Sequence, residues 1–113
     1  MSIIKSKEES SVLTSVEKLC NLIGLAQRAG CLVSGEEQVI KAIQTQKAQL
    51  VFLASDAKSN LTKKITDKGK YYQIEVSTVL TTLQLSASVG KARKVLAITD
   101  AGFSKKMRTL MNE

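Results

Sequence analysis

The sequence predicts an alternating α/β domain in which a single sheet lies between layers of helices. The first observation is five consecutive apolar residues at positions 50–54, with the sequence LVFLA. A strand with one solvent-exposed face alternates apolar and polar residues, so this segment is predicted to be a strand buried on both faces. The second observation is a regular succession of helix and strand patterns along the chain, which is typical of a sheet covered by helices.

Helical periodicity dominates the segment before the central strand. Apolar residues recur at three- and four-residue steps across residues 11–29, and Gly30 stands where a left-handed residue would end that helix. Residues 31–33 form a short apolar piece that is predicted to be extended. A second helix is then expected to open at positions 34 and 35 and to end near Gln46.

After the central strand, the patterns predict two more helices and a strand between them. A third helix is expected over residues 61–68, with Gly69 ending it. Residues 72–76 alternate in polarity and are predicted to form a strand. A fourth helix is expected to begin at Thr78, with Leu80 and Leu83 among its apolar positions.

The C-terminal part repeats the same strand and helix order. Gly90 is predicted to close the fourth helix, and the apolar residues 95–99 are predicted to form the last strand. Asp100 is expected to cap a final helix. Apolar residues fall on one face of that helix at helical spacing, namely Phe103, Met107, Leu110 and Met111.

Length and composition limit the classes of protein that this chain can belong to. With 113 residues, the chain is expected to hold one domain over residues 12–113, preceded by a flexible leader over residues 1–11. No apolar stretch approaches the ~20 residues of a membrane span, and the N-terminus lacks the apolar core of a secretory signal. We therefore expect a cytoplasmic protein that does not act at a membrane. The net charge of +7 favours a polyanionic partner, most often a nucleic acid.

Catalytic and metal sites find little support in the residue types present. The chain has no histidine, and its two cysteines, Cys20 and Cys31, are not spaced as a metal or redox motif. Both are predicted to be small buried apolar residues, and no cofactor or metal is expected. Asp56 and Asp100 follow buried strands, where α/β enzymes often place their sites, but carboxylates there are more often helix caps. An enzyme using one of them is the least favoured hypothesis.

Two polar segments carry the residue types that bind RNA. The start of the second helix offers backbone N–H groups for phosphate, an amide for base edges and a cation for the backbone. The residues concerned are Ser34, Gly35, Glu37, Gln38 and Lys41. The loop before the last strand adds three positive charges, and its residues are Lys91, Ala92, Arg93 and Lys94. Each segment alone is also consistent with an ordinary solvated surface, so the prediction depends on the fold bringing the two together.

The chain resembles a known family through an ordered set of segments. They are residues 21–30 (NLIGLAQRAG), 34–43 (SGEEQVIKAI) and 47–57 (KAQLVFLASDA), followed by Leu85, 89–91 (VGK) and 99–103 (TDAGF). This set is similar to the kink-turn-binding ribosomal-protein superfamily, the L7Ae/L30e group, and most closely to its small bacterial YlxQ-type members. The resemblance covers the chain from about Leu19 to its end.

The resemblance implies a three-layer α/β/α sandwich with a mixed four-stranded sheet, and a non-enzymatic protein linked to the ribosome and translation. It implies recognition of structured RNA, ribosomal or otherwise kinked, including kink-turns with tandem sheared G·A pairs. In the family, the start of the second helix enters the RNA groove and the loop before the last strand contacts a flipped-out nucleotide. Those positions here are Gly35, Glu37, Gln38 and Lys41 in the helix and residues 91–94 in the loop.

This sequence departs from the family pattern at two places. Many members have asparagine where this chain has Glu37, and the loop lacks the apolar or aromatic residue that some members place against the flipped base. Arg93 is a candidate to stack there instead. Glu37 also motivates an alternative, a protein-interaction adaptor in translation that keeps the fold, has lost kink-turn recognition and contacts ribosome-associated proteins.

Overall fold

The computed structural model describes residues 13–113, which form five helices and one four-stranded sheet. The elements in chain order are α1 (Ser15–Arg28), β1 (Leu32–Ser34), α2 (Glu36–Gln44), β2 (Leu50–Leu53), α3 (Ser59–Tyr72), β3 (Val76–Ser77), α4 (Thr82–Val89), β4 (Val95–Ile98) and α5 (Ala101–Met111). The predicted α/β class and the mixed four-stranded sheet are confirmed. Strand order across the sheet is β1-β4-β2-β3, with antiparallel pairs on both sides of β4 and a parallel pair between β2 and β3.

Two apolar clusters lie on opposite faces of the sheet. One cluster joins α1, α4 and α5 to the side chains of Leu50 and Phe52, and the other joins α2 and α3 to Val51 and Leu53. Alternate residues of β2 therefore serve opposite cores, as the period of a strand requires. All of β2 and all of β4 are buried, so the prediction of a central strand covered on both faces is confirmed.

Several predicted boundaries agree with the structure to within a few residues. Gly30 and Gly90 follow the ends of α1 and α4 with positive φ angles, as expected. The first helix begins at Ser15 behind the cap Thr14, so the described part of the predicted 11–29 helix starts later than expected. Positions 11 and 12, and the predicted leader over residues 1–11, lie outside the described residues. The second helix ends at Gln44, two residues before the predicted end.

The third helix was predicted too short, because Gly69 does not end it. Helix α3 continues to Tyr72 and is ended by Gln73 in the left-handed conformation, with φ of 59°. Gly69 is instead required by packing: a Cβ there would lie 2.6 Å from Val76 Cγ2 and 3.0 Å from the backbone oxygen of Ile74. The chain turns back against its own helix at this point, and the predicted strand over residues 72–76 shortens to Val76–Ser77.

The fourth helix begins later than predicted because a capping box fixes its start. The Thr81 side chain accepts from the N–H of Gln84, and the Gln84 side chain accepts from the N–H of Thr81. The segment from Thr78 is therefore not helical, and Leu80 enters the core from outside the helix. Leu83 was predicted on the apolar face but is 79% exposed.

The two cysteines are half-buried. Cys20 and Cys31 are free, and both pack against the core cluster that contains α1. Among the helices of residues 13–113, none is both long and apolar enough to cross a membrane. In the same residues, no group of three or more histidine, cysteine or carboxylate side chains could hold a metal ion.

The packing at Gly69 leads to a stability prediction. Gly69→Ala gains about 1 kcal/mol of helix propensity, but overpacking against Val76 and Ile74 costs about 1–3 kcal/mol. Because one contact is backbone and the other a stiff β-branched side chain, we expect a net loss of about 1 kcal/mol in the free energy of unfolding. Urea denaturation measures this directly.

Two further variants test the cause of that loss. Lys70→Ala changes the next, exposed position of the same helix and should alter stability by less than about 0.5 kcal/mol. Adding Val76→Ala to Gly69→Ala should cost less than the sum of the single changes, because the removed methyl group is the nearest obstacle. A Gly69→Ala protein more stable than the parent would contradict the close approach.

Candidate nucleic-acid interface

Strand pairing brings the start of α2 beside the loop that precedes β4. In the antiparallel pair of β1 and β4, Ser34 lies opposite Leu96. The N–H of Gly35 then donates to the backbone oxygen of Val95 at 3.0 Å. The end of one strand and the beginning of the other therefore meet at the same edge, which brings residues 34–38 close to residues 90–94.

A side-chain hydrogen bond joins the two segments directly. Arg93 Nε donates to Ser34 Oγ at 2.8 Å, across 59 residues of sequence. One terminal nitrogen of the same guanidinium donates to the backbone oxygen of Ala92 at 2.9 Å. The side chain that was predicted to stack on a base is thus bound partly to the protein, at the end of β1 just before α2.

The backbone of the loop is fixed by α4. The hydroxyl of Ser86 accepts from the N–H of Arg93 at 3.0 Å and donates to the carbonyl oxygen of the same residue at 3.2 Å. Both polar backbone groups of Arg93 are therefore held by one side chain. The backbone of Arg93 is consequently fixed in position, while the side chains of Lys91 and Lys94 remain exposed to solvent.

Gly35 gives the start of α2 a backbone shape that other residues rarely adopt. Its φ of 96° and ψ of 152° fall in a region that is populated almost only by glycine. It makes no side-chain cap, so the N–H groups of the first helical turn are not satisfied by a capping side chain. Such N–H groups suit an anion, although the two glutamates of the first turn compete for the same positive end of the helix dipole.

The exposed face of α2 carries the remaining predicted helix residues. Glu37, Gln38 and Lys41 are all exposed, and Lys41 lies about 9 Å along the helix from Gly35. Gln38 and Lys41 line a shallow groove together with Val33 of β1. The predicted helix residues therefore form one strip, which meets the loop at its Ser34 end.

The two glutamates at the start of α2 have different surroundings. Glu36 forms an ion pair with Lys64 of α3, so its charge is largely compensated within the fold. Glu37 forms no ion pair within residues 13–113. An uncompensated carboxylate is consequently present on the same strip as Gln38 and Lys41.

A cleft at the junction contains residues that sequence reasoning missed. It is lined by Gly35, Glu36, Leu61, Thr82 and residues 92–95. Leu61 and Thr82 come from α3 and α4, and only the fold places them there. The pattern of Thr81 and Gln84 as a capping box was the one sequence signal that could have located the start of α4.

Asp100 is a helix N-cap, as the sequence favoured, whereas Asp56 binds the start of a helix from outside it. The Asp100 carboxylate accepts from the N–H of Phe103 at 2.9 Å at the start of α5. The N-cap of α3 is Lys58, and one oxygen of Asp56 instead accepts from the hydroxyl of Thr82, the first residue of α4, at 2.7 Å and from the N–H of Thr82 at 2.9 Å. These two hydrogen bonds, assisted by the charge of Lys94, hold the pKa of Asp56 below its ordinary value.

Comparison with known proteins identifies the family. The model of the ribosomal protein L7Ae/L30e/S12e/Gadd45 family matches residues 17–108. The chain belongs to this family. The resemblance found in the sequence is therefore confirmed.

Two relatives of this L7Ae-family chain carry the same name. RNA-binding protein YlxQ of Enterococcus faecium is 44% identical over 95 residues, which cover 84% of this chain and 92% of that protein. RNA-binding protein YlxQ of Bacillus subtilis (strain 168) is 48% identical over 92 residues, covering 80% and 92%. Both relatives are thus matched over almost their whole length.

Solved structures agree with the L7Ae-type fold. A protein of unknown function from Bacillus halodurans superposes with a TM-score of 0.81 at 45% identity, covering 85% of this chain and 98% of that one. The Giardia lamblia 15.5kD RNA binding protein superposes with a TM-score of 0.74 at 13% identity, covering 89% and 88%. The second likeness shows that the fold persists where the sequences have diverged.

The Asp56 contacts lead to a prediction about pH. Because the folded state holds the pKa of Asp56 below its unfolded value, the carboxylate stabilises the fold above pH 3.8 and loses this effect as the pH falls further. The parent should therefore resist urea better than Asp56→Asn at pH 6, and the difference in midpoint should shrink below about pH 3.8.

Changes at Thr82 supply the control. Thr82→Ser keeps both donors. The difference in urea midpoint between Thr82→Ser and the double variant Thr82→Ser with Asp56→Asn should therefore depend on pH as it does in the parent. Thr82→Val removes the hydroxyl and should reduce that difference at pH 6. An equal difference at all pH values would show that the charge of Asp56 does not matter.

Proposed function

We propose that this protein binds structured RNA, including kink-turns, through the α2–loop surface. This surface consists of Ser34, Gly35, Glu37, Gln38, Lys41, Lys91, Ala92, Arg93 and Lys94. The observation that carries the proposal is the hydrogen bond from Arg93 to Ser34, which joins a basic loop to a helix start in a family whose relatives are named RNA-binding proteins. A single folded RNA could contact both segments at once.

The charge distribution supports a phosphate-bearing partner. Lys41, Lys91 and Lys94 are exposed, and none of them forms an ion pair within residues 13–113. Together with the net charge of +7, these lysines favour attraction of the RNA backbone and release of its counterions. Affinity should therefore depend steeply on salt concentration.

Different residues of the α2–loop surface would have different tasks. Lysines supply phosphate contacts that position the RNA, whereas the Gln38 amide, with both donors and an acceptor, is suited to base edges. Arg93 holds the loop against α2 and leaves part of its guanidinium plane for an unstacked base. The first-turn N–H groups at Gly35 suit a phosphate at the bend.

The cellular role that fits this activity is a non-enzymatic one in ribosome function and translation. It rests on family membership and on the hydrogen bonds that Asp56 and Asp100 make to the starts of α4 and α5, which give both carboxylates a structural task. The proposed site of action is the cytoplasm, with ribosomal RNA or another kinked RNA as partner.

Removing two lysines tests the proposed surface. Lys41→Ala combined with Lys91→Ala should weaken binding of a kink-turn RNA at least about tenfold and reduce the log–log salt slope by about 2, because two phosphate contacts are lost. Filter binding at several salt concentrations measures both quantities.

The matched control removes two exposed lysines from α3. Lys63→Ala combined with Lys70→Ala changes the net charge equally but leaves the α2–loop surface intact. Equal losses of affinity in the two variants would show that overall charge, and not this surface, attracts the RNA.

Glu37 favours a second candidate function, the protein-interaction adaptor. An acceptor-only carboxylate on the RNA-facing strip repels phosphate and lacks the donor of an amide. If RNA binding is the function, Glu37→Asn should strengthen binding of a kink-turn RNA by several-fold relative to a control RNA whose G·A pairs are replaced by Watson–Crick pairs. Competition filter binding with the two RNAs measures this ratio.

Gln44→Asn, an exposed change two turns further along α2, serves as the control for that experiment. It should leave the ratio unchanged. If neither the parent nor Glu37→Asn binds either RNA more tightly than unstructured RNA, the adaptor becomes the favoured function.

A further inference from the structure

A second basic surface lies between α1 and α5, and we call it the α1–α5 groove. Its floor contains Leu22 and Leu110, and its rim contains Lys18, Lys105 and Lys106. The two leucines are half-buried and the three lysines are exposed. Exposed surface in the groove is therefore mainly apolar in the centre and positively charged at the edge.

The α1–α5 groove is separate from the α2–loop surface. Helices α1 and α5 pack on one face of the sheet, whereas α2 packs on the other. The basic loop precedes β4 and α5 follows it, so the two surfaces also begin at opposite ends of a strand about 13 Å long. One ligand at the α2–loop surface leaves the groove open.

Each of the two helices contributes the same pair of side chains to the groove. Lys18 and Leu22 are one helical turn apart on α1, and Lys106 and Leu110 are one turn apart on α5. None of the three rim lysines forms an ion pair within the part of the chain that the structure describes. The groove thus presents apolar contacts and uncompensated positive charge at a regular spacing.

We propose that the α1–α5 groove docks an acidic amphipathic helical segment of a partner protein. An amphipathic helix places apolar anchors at i, i+4 and i+7 into a groove, and flanking carboxylates would meet the lysine rim. This complementarity of charge, combined with the apolar floor, is what selects the occupant. The inference does not depend on RNA binding at the other surface.

Two other occupants fit the groove less well. A polyribonucleotide would gain from the lysines but has no aliphatic group to cover Leu22 and Leu110. A second copy of this chain would bring its own lysines against the first set, and both copies carry a net charge of +7. An acidic amphipathic helix offers apolar side chains to the leucines of the floor and carboxylates to the lysines of the rim.

A synthetic peptide of about 14 residues, roughly four helical turns, is the probe for the groove. It has leucine at i, i+4 and i+7 of one face and glutamate on the flanks. A second peptide has the same composition in scrambled order. Binding to the full chain, labelled with nitrogen-15, is followed by NMR. The patterned peptide should shift the amide signals of Leu22 and Leu110 and bind at least about tenfold more tightly than the scrambled peptide.

Charge-reversed variants give the quantitative test. Lys18→Glu combined with Lys106→Glu should weaken binding of the patterned peptide at least about tenfold. Lys63→Glu combined with Lys70→Glu makes the same change in net charge and should weaken binding less than about threefold. Circular dichroism of both variants checks the fold, and Lys18→Gln combined with Lys106→Gln repeats the test without introducing repulsion.

Three results would overturn the proposal. Equal weakening by the two charge-reversed pairs, or equal binding of the two peptides, would mean that only general attraction to a basic protein is measured. A larger loss of kink-turn RNA affinity in Lys18→Glu with Lys106→Glu than in the α3 control would assign the groove to RNA. A concentration-dependent dimer that those two changes abolish would assign it to a second copy of the chain.

Discussion

The antiparallel pairing of β1 with β4 is the constraint on which the candidate interface depends. Its register places Ser34 opposite Leu96 and lets the N–H of Gly35 donate to the backbone oxygen of Val95. Because a shift by one residue would turn every side chain of β1 to the other face, the register is tied to burial of Leu32 in the core. Core packing thereby determines where the start of α2 lies relative to the basic loop.

The hydrogen bonds around this junction define the loop without taking up its outer charges. Ser86 holds both backbone groups of Arg93, and the Asp56 carboxylate holds the first residue of α4. Asp56, which follows β2, therefore fixes the start of α4, and Ser86, within α4, fixes the loop that comes after it. A binding surface ordered in advance loses less conformational entropy when a ligand arrives. Lys91 and Lys94 stay in solvent, where they can meet phosphate.

The sequence was sufficient for the α/β class, the buried central strand and the exposed strip of α2, because each depends on local periodicity. It failed where tertiary contact overrides a local signal. Gly69 looks like a helix stop, yet it lies inside α3. The residue is glycine there because Val76 approaches too closely for a Cβ. The residues of the candidate site were named from type and resemblance, and the structure brings Ser34 and Gly35 beside Arg93. Leu61 could not have been named, since only the packing of α3 takes it to the cleft.

Charge and geometry are assigned to different residues at the α2–loop surface. The Arg93 guanidinium donates one hydrogen bond to Ser34 and one to the Ala92 carbonyl. Some of its N–H groups therefore fix the geometry of the loop and are not free for a ligand. Lysine has no planar fork with which to make two such bonds at fixed angles. The lysines of the loop and of α2 make no comparable contact in residues 13–113, and a flexible point charge suits phosphate without demanding one geometry. Under the proposed function, the fixed junction at Ser34 and Arg93 would hold the Gln38 strip and the loop in one arrangement for an RNA, and the exposed lysines around it would supply the attraction.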